Sequence, residues 1–282
     1  MRKLLRRNLS AWLRCVLSLA IGASIAAPAQ AEELVIPGSG NPEYVLGALA
    51  KAFNAAQNRH RVSVPPSIGT AGALREVEQG SATLGRVGRP LKEAELAKGL
   101  KYIALGRDPV VFVAGAAVTV RNLTRSEAID IYTGKLTDWR GLNGKPGPIR
   151  AIGREGTDTS RQAIARAINA FVDISYAEQV KMVHLDPQMI ELLDRYPTSL
   201  GFLNRSALAA ASTRLVPLNF EGVEPTVDNL IGGRYPISLE FGLIHKSGSL
   251  NDAGRDFLAF VHSQAGERIL REHGIWPSGA AN

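Results

Sequence analysis

The stretch PIRAIGREGTDTSR, residues 148–161, decides the fold because a strand in it runs directly into a helix. Residues 148–153 have the pattern of a strand, and an amphipathic helix begins after the glycine and hydroxyl residues that follow. The first N–H groups of a helix have no partner within the helix, so a turn of this kind attracts anions. Arg154 adds a guanidinium that can hold an oxyanion through two hydrogen bonds. Asp158 places a carboxylate among the same donors, and its role is the main question that this sequence raises.

Glycine and hydroxyl residues connect a strand to a helix at two further places, PGSGN (37–41) and SIGTAG (67–72). A single turn of this kind is common in α/β proteins. Three of them predict a site where the starts of three helices converge on an oxyanion. The candidate ligand residues of the three turns are Ser39, Gly40, Asn41, Thr70, Arg154, Asp158, Thr159 and Ser160.

The whole chain alternates strand-like and helix-like segments, which favours an α/β fold. Each segment is predicted from the spacing of its apolar residues and from the glycine, proline or polar residues that bound it. The predicted strands are 34–40, which ends in the first glycine turn, 61–67, 110–120, 148–153, 199–203 and 237–246. The predicted helices are 44–57, 69–80, 123–134, 187–196 and 251–274, the last broken near Gly266.

The first 31 residues have the three parts of a secretory signal peptide. A basic start without acidic residues precedes an apolar run that is short for a membrane span, and Ala29-Gln30-Ala31 supplies a cleavage pattern. We therefore expect cleavage after Ala31 and a periplasmic product. The Sec pathway is the expected export route, and Arg6-Arg7 raises the twin-arginine pathway as the alternative.

Removal of this segment changes what the charge of the chain implies. The chain has 33 basic and 26 acidic residues, and five of the basic residues lie in the segment, which leaves 28 against 26. A net charge of +2 gives no reason to expect nucleic acid as a partner. The single cysteine, Cys15, is removed as well, so we expect a protein that its core stabilises without disulfides.

The sequence has no pattern that indicates an enzyme. Its five histidines lack the HxxxH or HxH spacing of metal ligands. Ser39 lacks the first glycine of the Gly-x-Ser-x-Gly turn that presents a nucleophilic serine, and no Walker-type phosphate loop is present. We therefore expect neither catalysis nor a metal or other cofactor.

The segment NLTRSEAIDIYTGKLTDWRGLNGKPGPIRAIGRE (122–155) resembles the most recognisable part of a known family. These are the phosphate-binding periplasmic proteins that deliver inorganic phosphate to ABC transporters. The segment has their Leu-Thr helix, Ile-Tyr-x-Gly-Lys turn, tryptophan and strand ending in Arg-Glu. Residues 69–95 are similar to the family's Gly-Ser-x-Gly helix and Pro-Leu loop. LGFLNRSAL, RYPISLEFGLIHK and REHGIWP resemble later landmarks in the same order.

The resemblance implies the type II solute-binding fold, in which two α/β lobes are joined by two crossing segments and close on a ligand. One lobe would comprise residues 32–114 and 238–282, and the other residues 115–237, with the three glycine turns meeting in the cleft. The resemblance also implies phosphate or a similar oxyanion as the ligand and the membrane permease of an ABC transporter as the partner. We expect the protein to be a monomer.

The site residues of the family carry over with changes. Arg154 is kept and should be the charge partner of the ligand, whereas Asp158 replaces a phosphate-binding serine and Ser160 takes the place of a threonine. Thr70 fills a serine or threonine position of the second turn. Val87-Gly88 replaces a Ser-Asp or Ser-Ser pair ahead of the Pro-Leu loop. The resemblance therefore implies a retained scaffold with an altered ligand site.

Three interpretations of Asp158 remain open. As the N-cap of its helix it would occupy donors that a phosphate needs, and two negative groups about 4 Å apart repel by several kcal/mol. It could instead accept the proton of a monoprotonated phosphate, a role that Gly88 leaves vacant. It could also partner a different ligand that carries an amine or hydroxyl donor. Arg161 is expected either at the ligand or paired with Glu155 or Asp158.

Two functions follow from these changes. The first is capture of phosphate or a related oxyanion for an ABC importer, which the retained Arg154 and Ser160 favour. The second is a paralogue of the same fold that serves as a sensor, adhesion or envelope-interaction module. The missing side chain at Gly88 and the carboxylate of Asp158 favour this second function.

Overall fold

The computed structural model describes residues 32–211 and 214–279, so the predicted signal peptide of residues 1–31 lies outside the described part. The described strands are β1 (Glu32–Val35), β2 (His60–Ser63), β3 (Gly85–Val87), β4 (Leu100–Ala114), β5 (Asn122–Leu123), β6 (Arg150–Arg154), β7 (Lys181–Val183), β8 (Ser199–Asn204), β9 (Val216–Pro217), β10 (Asn219–Phe220), β11 (Ser238–Lys246) and β12 (Trp276–Pro277). The described α-helices are α1 (Glu43–Ala56), α2 (Gly69–Gln79), α3 (Glu93–Leu96), α4 (Arg125–Tyr132), α5 (Thr159–Ala167), α6 (Asp186–Arg195), α7 (Arg205–Ala210), α8 (Val227–Ile231), α9 (Asp252–Val261) and α10 (Gln264–Glu272). Short 3-10 helices span Trp139–Leu142 and Asn169–Phe171. None of the helices in these two ranges is both long and apolar enough to cross a lipid bilayer.

The strand β4 connects two parts of a mixed sheet with the order β3-β11-β4-β8-β6-β7. It pairs antiparallel with β11 along residues 100–109 and then with β8 along residues 110–114. This exchange of partners in the middle of one strand divides the sheet into two halves. The predicted lobe boundaries, 32–114 plus 238–282 and 115–237, stay a prediction.

The sequence prediction placed the strand of β4 at residues 110–120, which is wrong at both ends. The strand starts at Leu100, because residues 100–109, in which charged and apolar residues are mixed, pair with β11 and, at Gly106 and Arg107, also with β12. It ends at Ala114, and a Cβ on the next residue, Gly115, would come within 2.6 Å of the carbonyl oxygen of Pro197. Only the apolar carboxyl-terminal part of the strand, residues 110–114, could be seen from hydrophobicity.

Two parallel strand pairs position the helices that matter for the site. β1 pairs with β2, and β6 pairs with β7, both in parallel. Each of these four strands leads into a helix, so that α1, α2, α5 and α6 follow their carboxyl ends. Since the carboxyl ends of parallel neighbours lie at the same edge, α1 starts beside α2 and α5 starts beside α6.

Aromatic clusters pack α1 against α9 and α4 against β8. Phe53 of α1 packs edge-to-face on Phe257 and Phe260 of α9, with ring centroids 5.5 and 5.6 Å apart. Tyr132 of α4 is fully buried and contacts Phe202 of β8 at 5.9 Å. Each buried aromatic side chain contributes roughly 1.5–3 kcal/mol by leaving water, so the clusters stabilise these packing contacts.

The break in the predicted helix 251–274 lies at His262 and Ser263 rather than near Gly266. Ser263 begins α10, since its hydroxyl accepts a hydrogen bond from the N–H of Gly266 at 3.3 Å. Gly266 lies inside α10, where a Cβ would come within 2.3 Å of the carbonyl oxygens of Phe260 and Val261. This glycine allows two helices to approach closely and does not end either of them.

Candidate ligand-binding site

The N-termini of four helices converge on one cleft with a volume of about 470 Å³. Residues at the starts of α1, α2, α5 and α6 form most of its wall, so the structure brings the three glycine turns together and adds a fourth helix start. The partial positive charge of each helix start attracts anions without an excess of basic side chains. α1 and α2 begin without a side-chain bond from their N-cap residues, but their first N–H groups are bonded locally. The N–H of Glu43 donates to the carbonyl oxygen of Gly40 at 3.0 Å, and the N–H of Gly69 donates to the hydroxyl of Ser67 at 3.2 Å.

Arg86 holds the first two turns in place from beneath the cleft. Its side chain is fully buried, and the guanidinium donates to the carbonyl oxygens of Ser39 and Pro65 at 2.8 and 2.6 Å. An ion pair of 3.0 Å joins the same guanidinium to Glu43 in α1. Gly38 lies against this arginine, where a Cβ would come within 2.0 Å of the Arg86 carbonyl oxygen. The positions of the first two turns are therefore fixed by one buried side chain and one glycine.

Asp158 is the N-cap of α5. One of its carboxylate oxygens accepts from the backbone N–H of Arg161 at 2.9 Å, and the other accepts from Nη2 of Arg154 at 2.6 Å. The carboxylate thus occupies a donor of the helix start and a donor of the guanidinium, both of which an oxyanion at the third turn would need. Of the three interpretations from the sequence, the helix cap is the one whose hydrogen bonds are present in the structure.

Arg154 is paired with two carboxylates at once. Asp158 lies 2.6 Å from Nη2 and Asp186, in the first turn of α6, lies 2.8 Å from Nη1. Burial acts to lower the pKa of Arg154, but the two carboxylates outweigh it and raise the pKa, so the guanidinium stays charged. Burial also raises the pKa of Asp186, against the attraction of Arg154. The buried Nε of Arg154 has no hydrogen-bond partner among the described residues, and the residue itself lines the cleft.

Asn41 connects the first turn with the third. Its Nδ2 donates to the hydroxyl of Ser160 at 2.9 Å. Its Oδ1 accepts from the hydroxyl of Thr159 and, at 3.4 Å, from that of Ser39. These hydrogen bonds join the start of α1 to the start of α5 and close the deep end of the cleft with internal polar contacts. An incoming oxyanion has to compete with them for the two hydroxyl donors.

Gly88 lies beneath the same contacts. A Cβ at this position would come within 2.9 to 3.0 Å of Ser39 Oγ, Asn41 Oδ1 and Thr159 Oγ1. The N–H of Gly88 donates to the hydroxyl of Thr70 at 3.3 Å, which brings the second turn to the same point. Polar atoms from the first and third turns therefore occupy the space that a side chain at position 88 would fill, and the second turn is bonded to the backbone there.

Charged side chains around the cleft balance each other. Arg89 is engaged with Glu95 through two hydrogen bonds of 2.8 Å, and Glu155 lies 3.0 Å from Nδ1 of His184. Lys92 also lines the cleft, and its positive charge acts on Glu95. Within residues 32–211 and 214–279, no group of three His, Cys, Asp or Glu side chains is placed to hold a metal ion.

Seven of the eight predicted ligand residues lie on the cleft wall, although their roles as ligand contacts stay predictions. The eighth, Ser160, is fully buried behind Asn41. The guanidinium of Arg161 contacts neither of its expected carboxylate partners. It donates to the carbonyl oxygen of Arg154 at 3.1 Å and lies 4.7 Å from the ring centre of Tyr176. The seven residues on the wall are Ser39, Gly40, Asn41, Thr70, Arg154, Asp158 and Thr159.

The sequence analysis missed Asp186. It follows β7 in the run VHLDPQ, where no glycine or hydroxyl residue marks a ligand turn. An aspartate directly before a proline at the start of a predicted helix is nevertheless a helix-start signal, and this one ends a parallel strand. Arg86 gave no signal, because a buried arginine cannot be told from an exposed one by its sequence neighbours.

Comparisons with known proteins identify the family of this chain. A family described as a PBP superfamily domain matches residues 23–265. The phosphate-binding protein PstS of Bacillus subtilis is 23% identical over 252 residues, which cover 86% of this chain and 80% of that protein.

Two solved structures show the same fold. A Clostridium perfringens protein, solved with bound phosphate and named for a role as substrate-binding protein of a phosphate ABC transporter, has a TM-score of 0.76 and 23% identity and covers 87% of this chain and 99% of its own. An ABC-type phosphate transport receptor from Vibrio cholerae has a TM-score of 0.65 and 24% identity, and the match covers 86% of this chain and 99% of the receptor chain. The predicted two-lobed α/β fold and the family resemblance are confirmed.

Proposed function

Because this chain belongs to the PBP superfamily, we propose that it is an exported solute-binding protein that captures inorganic phosphate or a related oxyanion for an ABC importer. The names of its relatives in Bacillus subtilis, Clostridium perfringens and Vibrio cholerae support phosphate as the ligand chemistry. The observation that carries the proposal is the convergence of four helix N-termini on one cleft. Capture and delivery need no covalent chemistry, so the protein is a carrier and not an enzyme.

The oxyanion binds at the first and second turns rather than at the third. The first turns of α1 and α2 offer backbone N–H groups beyond those of Glu43 and Gly69, which are bonded locally, and Ser39 and Thr70 add hydroxyls beside them. Arg154 lines the cleft and adds a positive charge, and hydrogen bonds to charged groups contribute about 1.5–3 kcal/mol each. Asp158 excludes the anion from the start of α5, because it already caps that helix.

Delivery follows from closure of the two lobes. β4 and the segment that enters β11 connect the two halves of the sheet, and they would act as the hinge between residues 32–114 plus 238–282 and residues 115–237. A membrane permease of an ABC transporter then distinguishes the closed, loaded monomer from the open one. Signal peptide cleavage after Ala31 places this step in the periplasm.

One pair of observations favours the second function, a paralogue of the same fold that acts as a sensor, adhesion or envelope-interaction module. Asp158 caps α5 where a phosphate would sit, and Gly88 supplies no acceptor for a phosphate proton. Permease and ATPase genes beside the gene of this protein would support import. Their absence, together with the neighbourhood of a receptor or regulator gene, would support the sensor.

The ligand is tested by thermal unfolding of the purified protein with phosphate, arsenate, sulfate or chloride. A ligand of the native state raises the melting temperature by mass action, so phosphate or arsenate should raise it in a concentration-dependent way. Thr70→Val should reduce this rise, whereas Thr133→Val removes a hydroxyl at the end of α4 and should not. A folded protein whose melting temperature does not change at millimolar concentrations of any of these oxyanions would contradict the proposal.

A further inference from the structure

We propose that the oxyanion bound in this cleft carries an organic group, so that the ligand is a small phosphate monoester or phosphonate rather than free inorganic phosphate. The inference rests on the proposed function, because it keeps the same oxyanion site and names the class of ligand. Two independent features carry it: apolar side chains that line the cleft from separate parts of the chain, and the engagement of every carboxylate on the described cleft wall.

The first feature is a pair of exposed apolar side chains. Ile68, at the start of α2, is 47% exposed, and Leu185, at the start of α6, is 42% exposed. Both line the cleft although they come from separate parts of the chain. Ile68 is held in place against Gly72, where a Cβ would come within 2.7 Å of its side chain. Exposed apolar surface next to a polar site is typical of a surface that contacts a ligand.

The size of the cleft agrees with a ligand larger than an oxyanion. Its volume of about 470 Å³ lies within the range of roughly 300–1,000 Å³ that pockets for organic ligands have. A tetrahedral oxyanion of five heavy atoms at the starts of α1 and α2 fills a small part of this volume. The remaining part is bordered by Ile68 and Leu185, which offer nothing to a bare anion but can cover a carbon substituent.

The second feature is the engagement of every carboxylate on the described cleft wall. Asp158 and Asp186 accept from Arg154, and Glu155 lies next to His184. Position 88 is a glycine, and Asn41 Oδ1 already accepts from two hydroxyls. Each carboxylate on the described cleft wall therefore already has a partner nitrogen in a basic side chain.

The protonation of the ligand decides between inorganic phosphate and a phosphate monoester at this site. Inorganic phosphate keeps at least one P–OH group at neutral pH, and that proton needs an acceptor when it is buried. A phosphate monoester loses its last P–OH proton at a pKa of about 6 and is a proton-free dianion at pH 8. Such a dianion needs no carboxylate to accept a proton from it, and its organic group lies against the apolar side chains.

Isothermal titration calorimetry at pH 8 tests the inference with four probes: inorganic phosphate, glycerol 3-phosphate, phenyl phosphate and methylphosphonate. We expect at least one monoester or the phosphonate to bind ten times more tightly than inorganic phosphate. The affinities of the two esters and of methylphosphonate then show whether a monoester or a phosphonate is the better ligand. Inorganic phosphate binding as tightly as the organic probes, or more so, would overturn the inference and leave the proposed function intact. Failure of all four to bind would overturn both.

Substitutions test whether Ile68 and Leu185 contact the organic group of the ligand or only help the lobes to close. Ile68→Ser and Leu185→Ser should lower the ratio of ester affinity to phosphate affinity at least fivefold. Val172→Ser removes an apolar side chain that is 56% exposed outside the cleft and should leave this ratio unchanged. If Ile68→Ser and Leu185→Ser weaken both ligands equally, the two side chains serve closure and the inference is wrong.

Discussion

At the scale of single residues, the pairing of Arg154 with Asp158 and Asp186 determines what the cleft can bind. The guanidinium stays charged, but four of its five N–H groups belong to the two nitrogens that face carboxylates. Its attraction for an added anion is therefore reduced, because the local charge of the three side chains is negative. The N-termini of α1 and α2 and the hydroxyls of Ser39 and Thr70 must supply most of the binding.

Asp158→Ser should increase the affinity for phosphate about tenfold, which corresponds to roughly 1.4 kcal/mol. Serine keeps the cap of α5, but it removes the negative charge and releases Nη2 of Arg154. Asp138→Ser is the matched control, because Asp138 also caps a short helix and pairs with Arg140, outside the cleft. Calorimetry compares the two variants, and weaker phosphate binding by Asp158→Ser would show that this carboxylate accepts a proton from the ligand.

Gly88→Ala should lower the free energy of unfolding by about 1–3 kcal/mol, as overpacking of a filled site does. The added Cβ would press on Ser39 Oγ, Asn41 Oδ1 and Thr159 Oγ1. Gly47→Ala is the control, since Gly47 lies within α1 with no atom near its Cβ position and should gain about 0.5–1 kcal/mol. Urea unfolding measures both changes, and equal stabilities of the Gly88→Ala and wild-type proteins would contradict the crowding of this site.

At the scale of elements, the crossing strand β4 carries a buried carboxylate that belongs to neither half alone. Asp108 accepts from the hydroxyl of Ser206 at 2.6 Å and from Nδ2 of Asn204 at 2.8 Å. Asn204 also donates to the carbonyl oxygen of Asn41 at 3.0 Å. The end of β8, the start of α7 and the first ligand turn are thus tied to the middle of β4.

The free energy of unfolding should depend on pH because Asp108 titrates at a different pH in the folded and unfolded states. Burial raises its pKa to about 7, although the hydrogen bonds from Ser206 and Asn204 act to lower it, and the ordinary value is 3.8. Because the pKa of Asp108 is higher in the folded state than in the unfolded state, its contribution to the free energy of unfolding is fully present below about pH 4. This contribution is lost as the pH rises towards 7. The free energy of unfolding should therefore fall by a few kcal/mol over this range.

Urea unfolding at several pH values between 4 and 8 measures this slope. Asp108→Asn should flatten it, whereas Asp194→Asn removes an exposed carboxylate of α6 and should leave it unchanged. The same slope in the wild-type and Asp108→Asn proteins would rule out titration of Asp108 as its cause.

The order of elements could be predicted from the sequence because their apolar spacing is strong. The helix predicted at 44–57 is α1, and the predicted end of the second helix at Gly80 is a left-handed cap. The amino-terminal part of β4, residues 100–109, could not be predicted, since a strand that is distant in sequence pairs with it. Turn chemistry likewise revealed seven residues of the cleft wall but not Asp186, whose role depends on a partner 32 residues away.

At the scale of the whole molecule, the account requires that ligand binding draws the two halves together. Small-angle X-ray scattering should show a smaller radius of gyration with a saturating oxyanion ligand than without it. Hydrogen bonds of Asn41 to Thr159 and Ser160 connect the first and third turns across the cleft. The change in the radius of gyration would come from rotation about β4 and the entry to β11. An unchanged radius with demonstrated binding would contradict closure of the lobes.

The central claim is that the oxyanion binds at the starts of α1 and α2 while Asp158 keeps its cap of α5. A crystal structure with arsenate tests it most directly, because anomalous scattering locates the arsenic atom without reference to the protein. The account predicts arsenate oxygens within about 3 Å of the hydroxyls of Ser39 and Thr70, with the carboxylate of Asp158 still bonded to the N–H of Arg161. An arsenate that displaces Asp158 at the start of α5, or an empty cleft at millimolar arsenate, would contradict it.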